Sequence, residues 1–323
     1  MRAISTAFVL GAGLGTRLRP LTDKLPKPLI PVFQKPLITF AFDHLLAIGI
    51  RRIVVNTHHL PECYETTFPE KTYCSADLHF CHEPFLLETA GGIKNIEPFL
   101  NPEEALLVYN GDILTDLPLK PAIDLHLEQE NLVTLILRSG EEPKKISWDP
   151  VSRQVIDICQ KLFPKRQPNA LFTGIYLVAP AFLKELQIGV RESVIPVFLR
   201  ILERGGNIGG IVLDQGSWWD LGSRSAYLQV HSELEKNFAF PDFQTNSKVK
   251  LCREKIHPTA SVHSSARLEG STVVSANCVV GEGAVLQDTL LWPHAEVSPG
   301  TFLKDCIVSC GTVVSGNHVG SDL

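Results

Sequence analysis

The sequence predicts an α/β chain: a mostly parallel sheet covered by helices, followed by a short left-handed parallel β-helix. Three observations lead there. Short β-branched runs alternate with helical patterns over most of the chain, a six-residue period takes over near Ile256, and the stretch between them has neither. In chain order, "AFVL", "RRIVVN", "ALLVYNGD", "LVTLIL" and "TGIYLV" read as strands, from their β-branched content and turn-residue boundaries. "LITFAFDHLLAIGI" has its apolar residues at helical spacing and closes on Gly49, giving a βαβ pattern and so a parallel sheet under helices. "ESVIPVFLRILERGG" and "SAYLQVHSELEKN" read as two further helices, the first ending on glycines. The six-residue anchors are Ile256, Val262, Leu268, Val274, Val280 and Leu286. After a one-residue slip they resume at Leu291, Val297 and Leu303, and after another at Val308 and Val314. Each anchor is expected to point inward and stack on the next coil, with a small residue four positions on at a tight corner. Domains are placed at 1–238 and 254–323, with 239–253 as the linker.

Composition excludes several classes. The 323 residues are 44% hydrophobic and 20% charged with net charge −5, which speaks for a soluble chain with no nucleic-acid or anionic-membrane partner. No apolar stretch is long enough to span a bilayer, and the N-terminal apolar run flows into a charged loop, so it reads as a strand and not a leader. The eight cysteines form neither a C-x-x-C pair nor a legible disulfide framework, which places the protein in the cytoplasm with reduced thiols.

The motif that carries chemistry begins at the end of the first strand. "AFVLGAGLGTRLRPLTDKLPKPLIPV" sets three glycines beside fixed positive charge. Bare backbone N–H groups on such a loop can close on phosphate oxygens, although glycines alone would also serve a plain turn. The dinucleotide fingerprint and the P-loop both fail, because Thr16 stands where each needs glycine. What stands is G-x-G-x-G-T-R, then "LRPLT", then "PKPLIPV". With "LLETAGGI" (86–93), "NGD" (110–112), "FTGIYLV" (172–178) and "GSWWDLGSRSAYLQVHSEL" (216–234), it resembles the sugar-1-phosphate nucleotidyltransferases over nearly all of residues 1–236. The tail resembles that of mannose-1-phosphate guanylyltransferases, while "LETAGG" and "NGDILTD" are also similar to N-acetylmuramate-1-phosphate uridylyltransferases.

The resemblance implies a Rossmann-like nucleotidyltransferase domain, an NTP and a sugar 1-phosphate as partners, Mg²⁺ as cofactor, and a homo-oligomer formed through the β-helix. In that reaction two anions meet, so the main task is to neutralise charge and hold them in line. The nucleotide loop is then Leu10, Gly11, Ala12, Gly13, Gly15 and Thr16. Arg17 would clamp the leaving pyrophosphate with its fork of donors, and Lys27, between Pro26 and Pro28, would reach the α-phosphate. Asp112 and Asp220 are the expected metal ligands, hard oxygens that suit Mg²⁺, with Asp112 counted among the catalytic residues. Thr89 and Gly91 fall to the nucleotide, and Glu83 is placed to accept from a guanine base. Asn110, Glu88, Thr173 and Gly174 fall to the sugar. Lys161 stands in for the family's sugar-phosphate lysine, although "CQKLF" departs from E-K-P and Lys144 and Lys145 are rivals.

The first reading is mannose 1-phosphate with GTP, giving GDP-mannose. Alternatives are N-acetylmuramate 1-phosphate with UTP, a glucose-1-phosphate nucleotidyltransferase, a bifunctional enzyme with acyl transfer in the tail, and a regulatory nucleotide-sugar-binding subunit. The tail histidines 257, 263, 294 and 318 occupy variable or corner positions, which argues against acyl transfer. The regulatory reading requires loss of the motif arginine, lysine or aspartate, and all are retained.

Overall fold

The apolar runs of the first part assemble into one large sheet. A computed structural model describes residues 4–140, 143–237 and 254–323; the expected linker 239–253 lies outside the described residues. Contacts divide the chain into two compact units. The first is Met1–Leu14 with Phe40–Trp218; the second is Gly15–Thr39 with Trp219–Leu323. Chain order would have placed Gly15–Thr39 with the strands around it.

In the first unit, ten described strands form the sheet. Strand Thr6–Leu10 lies at its centre and runs parallel to Arg52–Thr57 on one side and Leu106–Asn110 on the other. Ala76–His82 extends the parallel part beyond Arg52–Thr57, and Ile208–Val212 pairs parallel with Val133–Arg138. Leu171–Val178 is antiparallel to both neighbours, which the βαβ reading did not anticipate. Helices Glu88–Asn95, Lys120–Glu128 and Val194–Glu203 belong to this unit. Phe8, Val54, Val108, Tyr176 and Phe198 belong to its buried core, so burial of apolar side chains between sheet and helices stabilises the unit.

In the second unit the anchors stack as the six-residue period predicts. Val262, Val280, Val297 and Val314 form one column of parallel pairs, and Leu268, Leu286 and Leu303 another that ends at His318. Val274, Leu291 and Val308 form the third. Each slip is a five-residue step at the corner between two faces, where Asp288 and Asp305 take positive φ and shorten the turn that Gly270 makes one coil earlier. His257 and His263 sit in corner turns, each bonded through Nδ1 to the hydroxyl two residues on.

Candidate active site

Neighbouring strands bring two asparagines to one end of the first unit's sheet. Leu10 pairs with Asn56 on one side and Asn110 on the other, which brings the carboxyl ends of three parallel strands together. That is where open α/β sheets place ligands. The Gly11 N–H donates to Asn56 Oδ1 at 2.8 Å, and Tyr64 Oη donates to the Gly11 carbonyl at 2.9 Å. Asn56 Nδ2 in turn donates to Glu83 Oε1 at 2.7 Å, and the Leu87 N–H donates to Glu83 Oε2 at 2.9 Å.

This geometry corrects the expectation for Glu83. Its side chain is 0% exposed and both oxygens already accept from protein donors. A carboxylate in that state holds the glycine loop through Asn56 and presents nothing to a base. Asn56 and Tyr64 went unremarked in the sequence; the one signal was a polar residue closing the strand "RRIVVN".

The segment 86–93 begins helix Glu88–Asn95. Thr89 Oγ1 accepts from the Val194 N–H at 2.8 Å and so ties this helix to the start of Val194–Glu203. Gly91 allows a close approach: a Cβ there would lie 2.4 Å from the Val190 carbonyl oxygen. Glu88 has φ 59, in the left-handed region that favours glycine, and its carboxylate accepts from Arg191 Nε at 2.9 Å.

On the other expected sugar segment, Gly174 lies against Asn110, where a Cβ would be 2.5 Å from Asn110 Nδ2. Thr173 Oγ1 is buried and donates to the Ile136 carbonyl at 2.8 Å, while Trp218 Nε1 donates to the Thr173 carbonyl at 3.0 Å. Asp112 is half-buried two residues after strand Leu106–Asn110. Lys161 is exposed, on a loop shaped by the buried Asp157, whose carboxylate accepts the N–H groups of Lys161, Leu162 and Phe163. Asp157 left no sequence signal beyond strand alternation.

The second unit holds the two cations. Gly15 takes φ +62 ahead of the turn Thr16–Leu18, and a Cβ there would meet Lys27 Cβ at 3.2 Å and Thr22 Cγ2 at 2.9 Å. Arg17 is exposed, with its guanidinium over Gly222; a Cβ on Gly222 would lie 2.5 Å from Nη2. Lys27 is only 6% exposed, and its Nζ lies 3.9 Å from Asp220 Oδ1, an ion-pair distance outside hydrogen-bond range. The segment 220–222 thus meets both cations. Two positive groups and one half-exposed carboxylate meet along this segment. Gly222 was quoted in the motif, but its part in seating Arg17 was not legible there.

A sequence profile of the nucleotidyl transferase family matches residues 6–237. The chain belongs to that family. Residues 253–319 match the family described as GMPPB C-terminal domain. Among curated relatives, the mannose-1-phosphate guanylyltransferase of Mycobacterium tuberculosis is 29% identical, covering 92% of this chain and 82% of that protein. The UTP–glucose-1-phosphate uridylyltransferase of Synechocystis sp. is 26% identical, covering 94% and 86%. The crystal structure of HddC from Yersinia pseudotuberculosis superposes with TM-score 0.60 at 20% identity, covering 70% of this chain and 97% of that one, which shows a shared fold. Among the described residues no group of three or more His, Cys, Asp or Glu side chains is arranged to hold a metal ion.

Proposed function

We propose that this enzyme transfers a guanylyl group from GTP to mannose 1-phosphate, giving GDP-mannose and pyrophosphate. The observation that carries the reading is the β-helix tail, which matches the GMPPB C-terminal family, together with mannose-1-phosphate guanylyltransferase relatives covering over nine-tenths of the chain. A sugar-phosphate oxygen attacks the α-phosphorus, the bond to the β-phosphate breaks, and pyrophosphate leaves with the electron pair. Gly11 and Gly13 open the backbone of the loop to the triphosphate. The exposed Arg17 guanidinium neutralises the departing pyrophosphate. Lys27 meets charge as it accumulates on the α-phosphate, and its burial strengthens that interaction. Asn110 and Gly174 lie together and serve the sugar, with Glu88 and Lys161 as its further partners. Thr89 and Gly91 shape the nucleotide side through their contacts at Val194 and Val190. Asp112 and Asp220 would hold Mg²⁺, which supplies charge neutralisation on the phosphates when bound.

A second reading, glucose 1-phosphate with UTP, is favoured by the Synechocystis relative at comparable identity. A panel of four nucleotides against mannose, glucose and N-acetylmuramate 1-phosphates, read by pyrophosphate release, tests both. GTP with mannose 1-phosphate should lead by about tenfold or more in kcat/KM, the discrimination expected when a site pairs with particular polar groups. Turnover confined to UTP would reject it in favour of a uridylyl reading.

A further inference from the structure

The segment that bears Arg17 and Lys27 contains four prolines between 26 and 36, so it has few N–H groups with which to hold itself. Its own bonds include Leu29 N–H to Pro26, Ile30 N–H to Lys27 and Leu37 N–H to Ile30, at 2.8, 3.2 and 2.9 Å. Further support comes from elsewhere in the same unit. The Pro31 carbonyl accepts from Tyr227 Oη, and Tyr227 Oη accepts from Trp292 Nε1 at 3.0 Å. The Phe33 N–H donates to His231 Nε2 at 3.2 Å, while His231 Nδ1–H donates to the Tyr227 carbonyl at 2.8 Å and the rings of Phe33 and His231 stack at 5.1 Å. Gln34 Nε2 donates to the carbonyls of Glu254 and Val274 at 2.9 and 3.2 Å.

Trp292 is the informative residue. It follows the inward anchor Leu291 and lies outside the coil's apolar core, on the outer wall of the β-helix. A tryptophan there would ordinarily meet solvent, yet it is 1% exposed and its rings pack edge-on to Tyr227 at 6.5 Å.

We infer that the β-helix braces the catalytic segment: Trp292 and Tyr227 are positioning residues that hold Pro31, and through it the turn Lys27–Leu29, so that Lys27 meets the α-phosphate. This rests on the role given to Lys27 above. A displacement of about 1 Å in a positioned group costs on the order of 100-fold in rate, so loosening the brace should act on turnover.

The test uses full-length Tyr227→Phe and Trp292→Phe, the milder Gln34→Ala, and Val280→Ala as a destabilising change inside the coil core. Tyr227→Phe and Trp292→Phe should lower kcat about tenfold or more with KM for the sugar phosphate moved less than about twofold. Hydrogen exchange at the Ile30, Phe33 and Leu37 amides should quicken in these two and, over Phe33–Leu37, in Gln34→Ala. Val280→Ala should lower Tm and do neither. In a Lys27→Ala background, Tyr227→Phe should cost no further kcat. Unchanged kcat and exchange in Tyr227→Phe and Trp292→Phe, or a full further kcat loss from Tyr227→Phe on top of an impaired but still measurable Lys27→Ala, overturns the brace and leaves the proposed reaction standing. Full turnover in Lys27→Ala overturns the lysine's role and the brace together.

Discussion

At the residue scale, Glu83 shows how burial decides the role of a carboxylate. Its two oxygens are committed to Asn56 Nδ2 and the Leu87 N–H, and Asn56 carries the constraint on to the Gly11 N–H. Glu83→Gln would turn an amide NH2 toward one of these two donors while its oxygen still accepts from the other, leaving a buried group unpaired at a cost of about 1–3 kcal/mol. The expected outcome is a lower urea midpoint with the preference among nucleotides unchanged, measured by denaturation and by the nucleotide panel. A selective loss of GTP preference without a loss of stability would return Glu83 to base reading. Glu88 is the opposite case. It holds a left-handed φ, in the region that favours glycine, and its carboxylate accepts from Arg191 Nε. Backbone of that kind costs roughly 1–2 kcal/mol in a residue with a Cβ, a cost that a functional side chain would justify.

At the scale of elements, two glycines make the same demand with different consequences. A Cβ on Gly222 meets the far end of Arg17, a flexible side chain that can swing away. A Cβ on Gly91 meets the Val190 carbonyl, which is backbone and fixed by the loop that feeds helix Val194–Glu203. Gly222→Ala should therefore keep its Tm and lose kcat by about tenfold or more, because the guanidinium is the displaced group. Gly91→Ala should lose Tm first, since the backbone must shift or overlap. Parallel melting curves and steady-state kinetics read both. An unmoved kcat in Gly222→Ala would detach Arg17 from transition-state stabilisation.

At the scale of the whole molecule, three buried histidines tie stability to pH. His44, His126 and His231 are each lowered to about 4, with desolvation as the main cause. His231 shows why the neutral form is required: Nε2 accepts from Phe33 while Nδ1–H donates to Tyr227. His44 uses both ring nitrogens as well, toward Tyr109 Oη and the Leu117 carbonyl. Unfolded histidine titrates near 6.5, so between about 6.5 and 4 the unfolded chain binds protons that the folded chain refuses. Stability is complete above about pH 6.5 and falls as pH drops toward 4. His44 and His126 lie in the first unit and His231 in the second, so both should weaken. Urea midpoints at pH 7.5, 6 and 5 should decline in that order; a flat profile would contradict the neutral assignment.

The fold class was legible before any coordinates because two periodicities carry it. The six-residue anchors from Val262 to Val314 stack inward because that arrangement buries their apolar side chains, as the columns Val262–Val314 and Val274–Val308 do, whereas Ile256 in the first coil stays 43% exposed. The strand at Thr6–Leu10 and the glycine loop after it were likewise written locally, in β-branched residues and missing side chains. Tertiary structure alone decided what periodicity does not encode. Strand direction at Leu171–Val178 depends on which neighbours it meets, and a short apolar run buried along nearly its whole length reads the same in either direction. The role of Glu83 depends on whether donors surround it, which only the approach of Asn56 and Leu87 supplies. The grouping of Gly15–Thr39 with the β-helix depends on Tyr227 and Trp292, more than 180 residues further along the chain. Local sequence names the chemistry a segment carries; which partners hold that segment in place is set by contacts between residues that the chain brings together only when it folds.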